Sequence, residues 1–137
     1  MLEDNRRDDL SVQRRPSGTP RHQTAQFGHE GLVVSAIGLD KLGSAIIAEL
    51  DKHALPYHLD RVTYPTGTVD VDLNNPNAPV YTINTKVAWS HIPFTDELRA
   101  IAASTKAVCF GSLAQWGRES RASIRLFLDN CPADLLH

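Results

Sequence analysis

The sequence has little cysteine and no long hydrophobic run. Two cysteines among 137 residues are too few for a disulfide-stapled secreted scaffold. No apolar run approaches the roughly 20 residues that a membrane-spanning helix needs, which excludes a transmembrane protein. A formal net charge of −2 argues against a strongly basic nucleic-acid binder. We therefore expect one cytoplasmic domain with no nucleic-acid or membrane partner.

Self-contained catalytic motifs are also missing. The sequence has neither the Gly-x-x-x-x-Gly-Lys-Ser/Thr phosphate loop nor the Gly-x-Ser-x-Gly nucleophile turn. The histidines are scattered, and His53 and His58 lie five residues apart across a predicted helix end, which favours no common metal site. Cys109 falls within a predicted strand, where a small core residue is favoured over a nucleophile. The sequence alone predicts no catalytic residue and no metal ligand.

The first 26 residues differ from the rest of the chain. Residues 1–26 contain five apolar residues, five arginines and four acids, and Pro16, Gly18 and Pro20 interrupt any periodic pattern. Such a segment buries too little surface to offset its ordering entropy, so we predict a disordered or loosely attached tail. Arg14–Ser17 also has the pattern of a phosphorylation site, but a solvated tail is the interpretation that we favour.

A strand, a turn and a helix are predicted next. Residues 32–37 form a short apolar run closed by Gly38, typical of a strand buried on both faces. Asp40 stands at the N-cap position of a predicted amphipathic helix over residues 41–54. The turn from Gly38 to Gly43 has glycines flanking an acid, and helix capping is the interpretation that we favour for it.

A hairpin follows. Val69, Val71 and Leu73 alternate with polar residues, a dense turn cluster occupies residues 74–79, and residues 80–83 can return as the second strand. The aspartates of the first strand have two interpretations, ligands or a solvated strand face, and we favour the second.

Alternation of helix and strand then resumes. Thr95 is a predicted N-cap, and Leu98, Ile101 and Ala102 give its helix an apolar stripe. Residues 107–110 are predicted as a buried strand. A last helix is predicted from four residues at i, i+3, i+4 and i+7, which we expect to face that strand: Ile124, Phe127, Leu128 and Cys131.

Taken in order, these segments resemble the ribokinase-like (PfkB) sugar kinases, most closely their fructokinase-like branch. The segments that carry the resemblance are Val33–Asp40, Gly43 at a helix start, Tyr64–Val69, Val87–Trp89 and Val108–Gln115. The resemblance covers residues 27–137.

The resemblance implies an α/β fold, a partial Rossmann-like ribokinase fold of three α/β/α layers with an inserted hairpin (residues 66–84) belonging to a small lid sheet. Members of the family transfer the γ-phosphate of ATP to a sugar hydroxyl, with ATP and Mg²⁺ bound by the complete enzyme. By this likeness Gln115, Thr68 and Trp89 are substrate-binding residues, Trp89 being equally explicable as a cover for the core. A homodimer through the lid sheet is a further expectation.

The departures from the family pattern predict an inactive fragment. The family's sugar-binding Asp strand, Gly-Gly motif and Asn would precede Phe27, but Arg14–Gln23 contains neither motif. The family's catalytic Gly-Ala-Gly-Asp is absent from the 137 residues. We therefore expect a central fragment, with a shifted reading frame or a mis-set start near Thr24–Phe27 as a hypothesis. The alternatives are a non-catalytic sugar-binding or oligomerisation module and a pseudogene product.

Overall fold

A computed structural model of the chain describes residues 31–72, 74, 78 and 80–135. The predicted tail (residues 1–26), Phe27 and Leu73 lie outside these residues. Within the described ranges, no helix is both long enough and apolar enough to cross a bilayer. The elements are β1 (Val33–Ile37), α1 (Lys41–Lys52), β2 (Tyr57–Arg61), β3 (Val69–Asp72), β4 (Val80–Ile83), a first 3₁₀ helix (Ala88–His91), α2 (Asp96–Ser104), a second 3₁₀ helix (Ser112–Gln115) and α3 (Arg118–Asp129).

β1 and β2 form a parallel pair, with Val33 opposite Tyr57 and Ile37 opposite Arg61. Adjacent parallel strands need a crossover connection, and α1 lies between β1 and β2 in the chain. The three elements therefore form a βαβ unit. The helix begins as predicted at Asp40, whose side chain accepts a hydrogen bond from the Gly43 amide. The sequence analysis missed β2, since its pattern Tyr-His-Leu-Asp-Arg carries little apolar character.

Helices cover both faces of β1. Ile37 packs with Ile46 and Leu50 of α1. Val34, which points to the opposite face of the strand, packs against the cluster formed by Leu98 and Phe127 of α2 and α3. The chain therefore has the three-layer α/β/α arrangement that was predicted.

The hairpin is also confirmed. β3 and β4 are antiparallel, with Val69 opposite Ile83 and Val71 opposite Tyr81. Val69 is buried, whereas Asp70 and Asp72 are exposed, as expected of a strand with one solvated face. The hairpin pairs with neither β1 nor β2 within the described residues and forms its own two-stranded sheet.

The predicted strand at residues 107–110 is wrong. Ala107 forms an isolated bridge and Val108–Phe110 is irregular. Cys109 is exposed, so its assignment as a core residue within a strand is wrong as well. A strand requires a hydrogen-bonded neighbour along its length. Here a cavity lined partly by Val34, Ser35 and Gly111 lies between β1 and the end of this segment.

The last helix is longer than its apolar stripe. α3 begins at Arg118, six residues before Ile124. Phe127 is buried as predicted, but it packs with Leu98 and Ala102 of α2. Of residues 107–110, which were predicted as a strand, only Val108 packs against that cluster. Ile124 and Leu128 are only half-buried, so their predicted burial is confirmed in part.

Candidate functional site

The candidate site lies at the carboxyl edge of the β1–β2 pair, where the turn Gly38–Asp40 leaves β1 and the loop 62–67 leaves β2. In open α/β sheets, ligands bind at the carboxyl ends of the strands. The hairpin is entered directly from loop 62–67, and the first 3₁₀ helix follows the hairpin. Three separate segments therefore meet at this edge.

Asp40 is the centre of the polar network at the edge. Its Oδ1 accepts from the Gly43 amide at 2.8 Å and from the Thr66 hydroxyl at 2.6 Å, and its Oδ2 accepts from the Thr66 amide at 2.8 Å. The Thr66 hydroxyl in turn accepts from the Gly38 amide at 2.9 Å. Burial alone would raise the pKa of Asp40, but the hydrogen bonds from Thr66 and Gly43 outweigh it and hold the pKa below its ordinary value of 3.8. An ionised carboxylate that already accepts three hydrogen bonds is poorly suited to remove a proton from a substrate.

Trp89 packs against the loop that enters the hairpin. A Cβ placed on Gly67 would lie 2.5 Å from the indole Nε1 of Trp89, so glycine is required at this close approach. Trp89 is 7% exposed, and its Nε1 is a buried donor without a hydrogen-bond partner in the described part of the chain. A buried donor without a partner costs free energy, about 1–3 kcal/mol.

Two serines of α3 hold the first 3₁₀ helix in place. The Ser120 hydroxyl donates to the carbonyl of Trp89 at 2.7 Å and accepts from the Ile92 amide at 3.0 Å. The Ser123 hydroxyl donates to the carbonyl of Ile92 at 2.6 Å. The position of the indole is therefore fixed by backbone contacts to a neighbouring helix.

His91 forms a second contact between this helix and loop 62–67. Its ring stacks on that of Tyr64, with the centroids 3.5 Å apart and the planes inclined by 12°. His91 Nδ1 lies 3.0 Å from the carbonyl oxygen of Val87, and because a carbonyl only accepts, Nδ1 carries the proton. No local pattern in the sequence predicts this stack, because Tyr64 and His91 are 27 positions apart in the chain.

A cavity of about 240 Å³ lies beside Trp89. Its lining is largely apolar: Val34, Ser35, Trp89, Ile92, Gly111, Leu113 and Ala114. The second 3₁₀ helix contributes Leu113 and Ala114 to this lining, whereas Gln115, at its end, does not line the cavity. The carbonyl of Gln115 accepts from Arg121 Nε at 2.9 Å.

The three predicted substrate-binding residues lie in neighbouring segments. Trp89 contacts Gly67, and half-buried Thr68 is the next residue along the chain. Gln115 is half-buried and follows the two cavity-lining residues. Sequence reasoning missed Thr66, because it lies 26 positions from Asp40 and no local pattern links the two. The glycine-flanked Asp40 was the one available signal.

Metal-ligating groups do not cluster at this edge. Across residues 31–72, 74, 78 and 80–135, no group of three or more His, Cys, Asp or Glu side chains is placed to hold a metal ion. The Asp40 carboxylate is occupied by its three hydrogen bonds. The described residues therefore offer no site at which three such side chains hold a metal ion.

Comparison with known proteins places the chain in a fold group. No family model matches it. Over 107 residues it is 28% identical to an ATP-dependent 6-phosphofructokinase of Thermoanaerobacterium thermosaccharolyticum, covering 77% of this chain and 32% of that protein.

Solved structures give the same picture. An uncharacterised sugar kinase from Pyrococcus horikoshii superimposes with a TM-score of 0.67 at 24% identity, over 77% of this chain and 35% of its own. Its complex with ATP gives a TM-score of 0.65 at 24% identity, with the same coverage. A ribokinase from Giardia lamblia gives 0.59 at 17% identity, over 76% of this chain and 32% of its own. The chain thus has part of the fold of ribokinase-type sugar kinases and spans about a third of the length of these relatives.

Proposed function

We propose that the chain is part of an ATP-dependent sugar kinase of fructokinase-like specificity, and that the 137 residues alone are inactive. The observation that carries the proposal is the match of the chain's fold to sugar-kinase structures over 77% of its length. The relative that acts as a 6-phosphofructokinase supports the same class of reaction, transfer of a phosphoryl group from ATP.

In this proposal the edge beside Trp89 holds one side of a sugar. Trp89 supports this role, because it lines the cavity beside this edge. Thr68 offers a hydroxyl next to the Gly67 contact, and Gln115 offers an amide beyond the cavity-lining residues. These three groups orient a sugar but supply no base and no phosphate cradle.

Isothermal titration calorimetry with fructose, ribose and adenosine tests sugar binding. We expect fructose to bind weakly and Trp89→Phe to weaken it about two- to tenfold, because the smaller ring makes less contact across the cavity. Trp116→Phe is the matched control, because Trp116 is 57% exposed and should leave binding unchanged. Absence of binding by every sugar would contradict the sugar-binding proposal, and equal binding by Trp89→Phe would remove Trp89 from the site.

A second candidate is a non-catalytic oligomerisation module that associates through the hairpin. Its supporting observation is the exposure of two apolar side chains on β4, Val80 at 60% and Tyr81 at 63%. An open strand edge with exposed apolar residues favours pairing with another chain. Sedimentation over a range of concentrations tests it: we expect a dimer that Tyr81→Lys dissociates. A monomer at all concentrations would contradict this candidate.

A further inference from the structure

The Asp40 carboxylate joins two segments that are distant in the chain. One oxygen is sufficient for its role as the N-cap of α1, and Oδ1 fulfils it by accepting from Gly43. The second oxygen, Oδ2, is used only for the amide of Thr66. Serine or threonine would cap the helix equally well, so the cap alone does not explain why a carboxylate stands here.

Two glycines allow the segments to meet. A Cβ on Gly38 would lie 2.7 Å from Asp40 Oδ2, from the Thr66 amide nitrogen and from the Tyr64 carbonyl oxygen. A Cβ on Gly43 would lie 2.7 Å from the Gly38 carbonyl oxygen and 3.0 Å from the Thr66 hydroxyl. Any larger residue at either position would push the root of the hairpin away from the turn after β1.

Both sides of the hairpin are held at its root. The Pro65 carbonyl accepts from the Ala88 amide at 2.8 Å, which joins the two sides. Thr66 and Gly67 are buried on the incoming side, and Val87, Ala88 and Trp89 are buried on the returning side. Asp40 bonds the incoming side through Thr66.

We propose that Asp40 and Thr66 form an anchor that fixes the root of the hairpin to the carboxyl edge of the core sheet. Asp40 is then a positioning residue, which acts through Thr66 and touches no ligand. Thr66 links the two sides, since its amide and hydroxyl donate to Asp40 while its hydroxyl accepts from Gly38. Charge-assisted hydrogen bonds of this kind are stronger than neutral ones, which suits a fixed joint. That the anchor also holds the hairpin over a bound sugar rests on the proposed function; the joint itself does not.

Amide hydrogen exchange in the full chain without sugar tests the anchor. Asp40→Ser keeps a capping oxygen for Gly43 but lacks the second oxygen that bonds Thr66. Thr66→Val removes the hydroxyl and keeps the shape, and Thr66→Ser is the matched control that keeps the hydroxyl. We expect exchange at the amides of β3 and β4 to become about tenfold faster in Asp40→Ser and Thr66→Val, with α1 unchanged in Asp40→Ser. Thr66→Ser should resemble the parent chain.

Three results would overturn the anchor. These are unchanged exchange in the hairpin of both variants, a loss of protection in α1 equal to that in the hairpin, and an effect of Thr66→Ser as large as that of Thr66→Val. If Asp40→Ser fails to fold, the Thr66→Val and Thr66→Ser pair still decides the question. Sugar titration is a separate measurement, so failure to bind sugar would contradict the proposed function and leave the anchor intact.

Discussion

At the scale of single residues, Gly38 and Gly111 differ in how closely other atoms pack against them. Gly38 lies in a closely packed junction, whereas nothing lies within 4 Å of a Cβ placed on Gly111. The need for glycine at position 38 therefore comes from close approach of another segment, which sequence alone does not reveal. Gly111 ends a predicted strand, and there a side chain has room.

We expect Gly38→Ala to destabilise the fold by about 1–3 kcal/mol, because the added methyl group meets backbone atoms and the Asp40 carboxylate, which cannot move without breaking hydrogen bonds. Gly111→Ala is the matched control and should stay within about 0.5 kcal/mol of the parent chain. Urea unfolding of the two variants gives the comparison. Equal stability would contradict the close approach at Gly38.

Phe127→Ala should cost about 3–5 kcal/mol, because Phe127 is the largest of the three buried side chains in the cluster between α2 and α3. Leu126→Ala is the control on the adjacent face of the helix, where Leu126 is 46% exposed. Thermal and urea unfolding measure both. A loss below roughly 0.5 kcal/mol for Phe127→Ala, typical of surface changes, would show that the helix face is assigned wrongly.

At the scale of elements, the sequence correctly predicted those features that depend on residues close together in the chain. The N-caps Asp40 and Thr95 and the alternation of β3 were readable, because each depends on residues a few positions apart. β2 was missed and the strand at residues 107–110 was wrongly predicted, because strand formation depends on a neighbour elsewhere in the chain. Ser120 and Ser123 were missed for a related reason. Their hydroxyls donate to the backbone carbonyls of Trp89 and Ile92, which are distant in the chain.

The link between α1 and the hairpin predicts a pH dependence with a definite sign. The folded-state pKa of Asp40 is lowered, so its stabilising contribution is complete above its ordinary value of 3.8 and is lost as the pH falls through the lower folded-state pKa. The difference in stability between the parent chain and Asp40→Ser should thus be constant near neutral pH and shrink below pH 3.8. Urea unfolding at a series of pH values measures it. A difference that grows on acidification would mean that the pKa is raised.

At the scale of the whole molecule, helices cover both faces of β1, whereas loops build the carboxyl edge of the β1–β2 pair. β1 is packed on both faces, by α1 and by the α2–α3 pair, which makes it the rigid centre of the described structure. Hairpin, 3₁₀ helix and loop 62–67 then converge where β1 and β2 end. This division between a packed scaffold and a loop-built edge is the arrangement on which α/β proteins place ligand sites. The scaffold could be predicted from periodicity, whereas the contacts at the edge could not, because they join residues 26 to 31 positions apart.

The last prediction concerns turnover: the 137-residue chain should consume no ATP in a sugar-dependent way. Phosphoryl transfer depends on positioning the phosphates and neutralising the charge that moves, usually with Mg²⁺ and a base near the acceptor hydroxyl. In the described residues, the Asp40 carboxylate is committed to Thr66 and Gly43, and no acidic cluster is placed to hold a metal ion. The sequence has no glycine-rich phosphate loop.

An ATP-consumption assay with fructose, ribose and adenosine at high protein concentration measures this, with the Giardia lamblia ribokinase and ribose as the positive control for assay conditions. Removing a single oxyanion-type donor typically lowers rates by about 10²–10³-fold, so the absence of both base and phosphate cradle should place turnover at the background level. Sugar-dependent turnover that persists through purification in proportion to the amount of chain would show that the chain is itself a kinase.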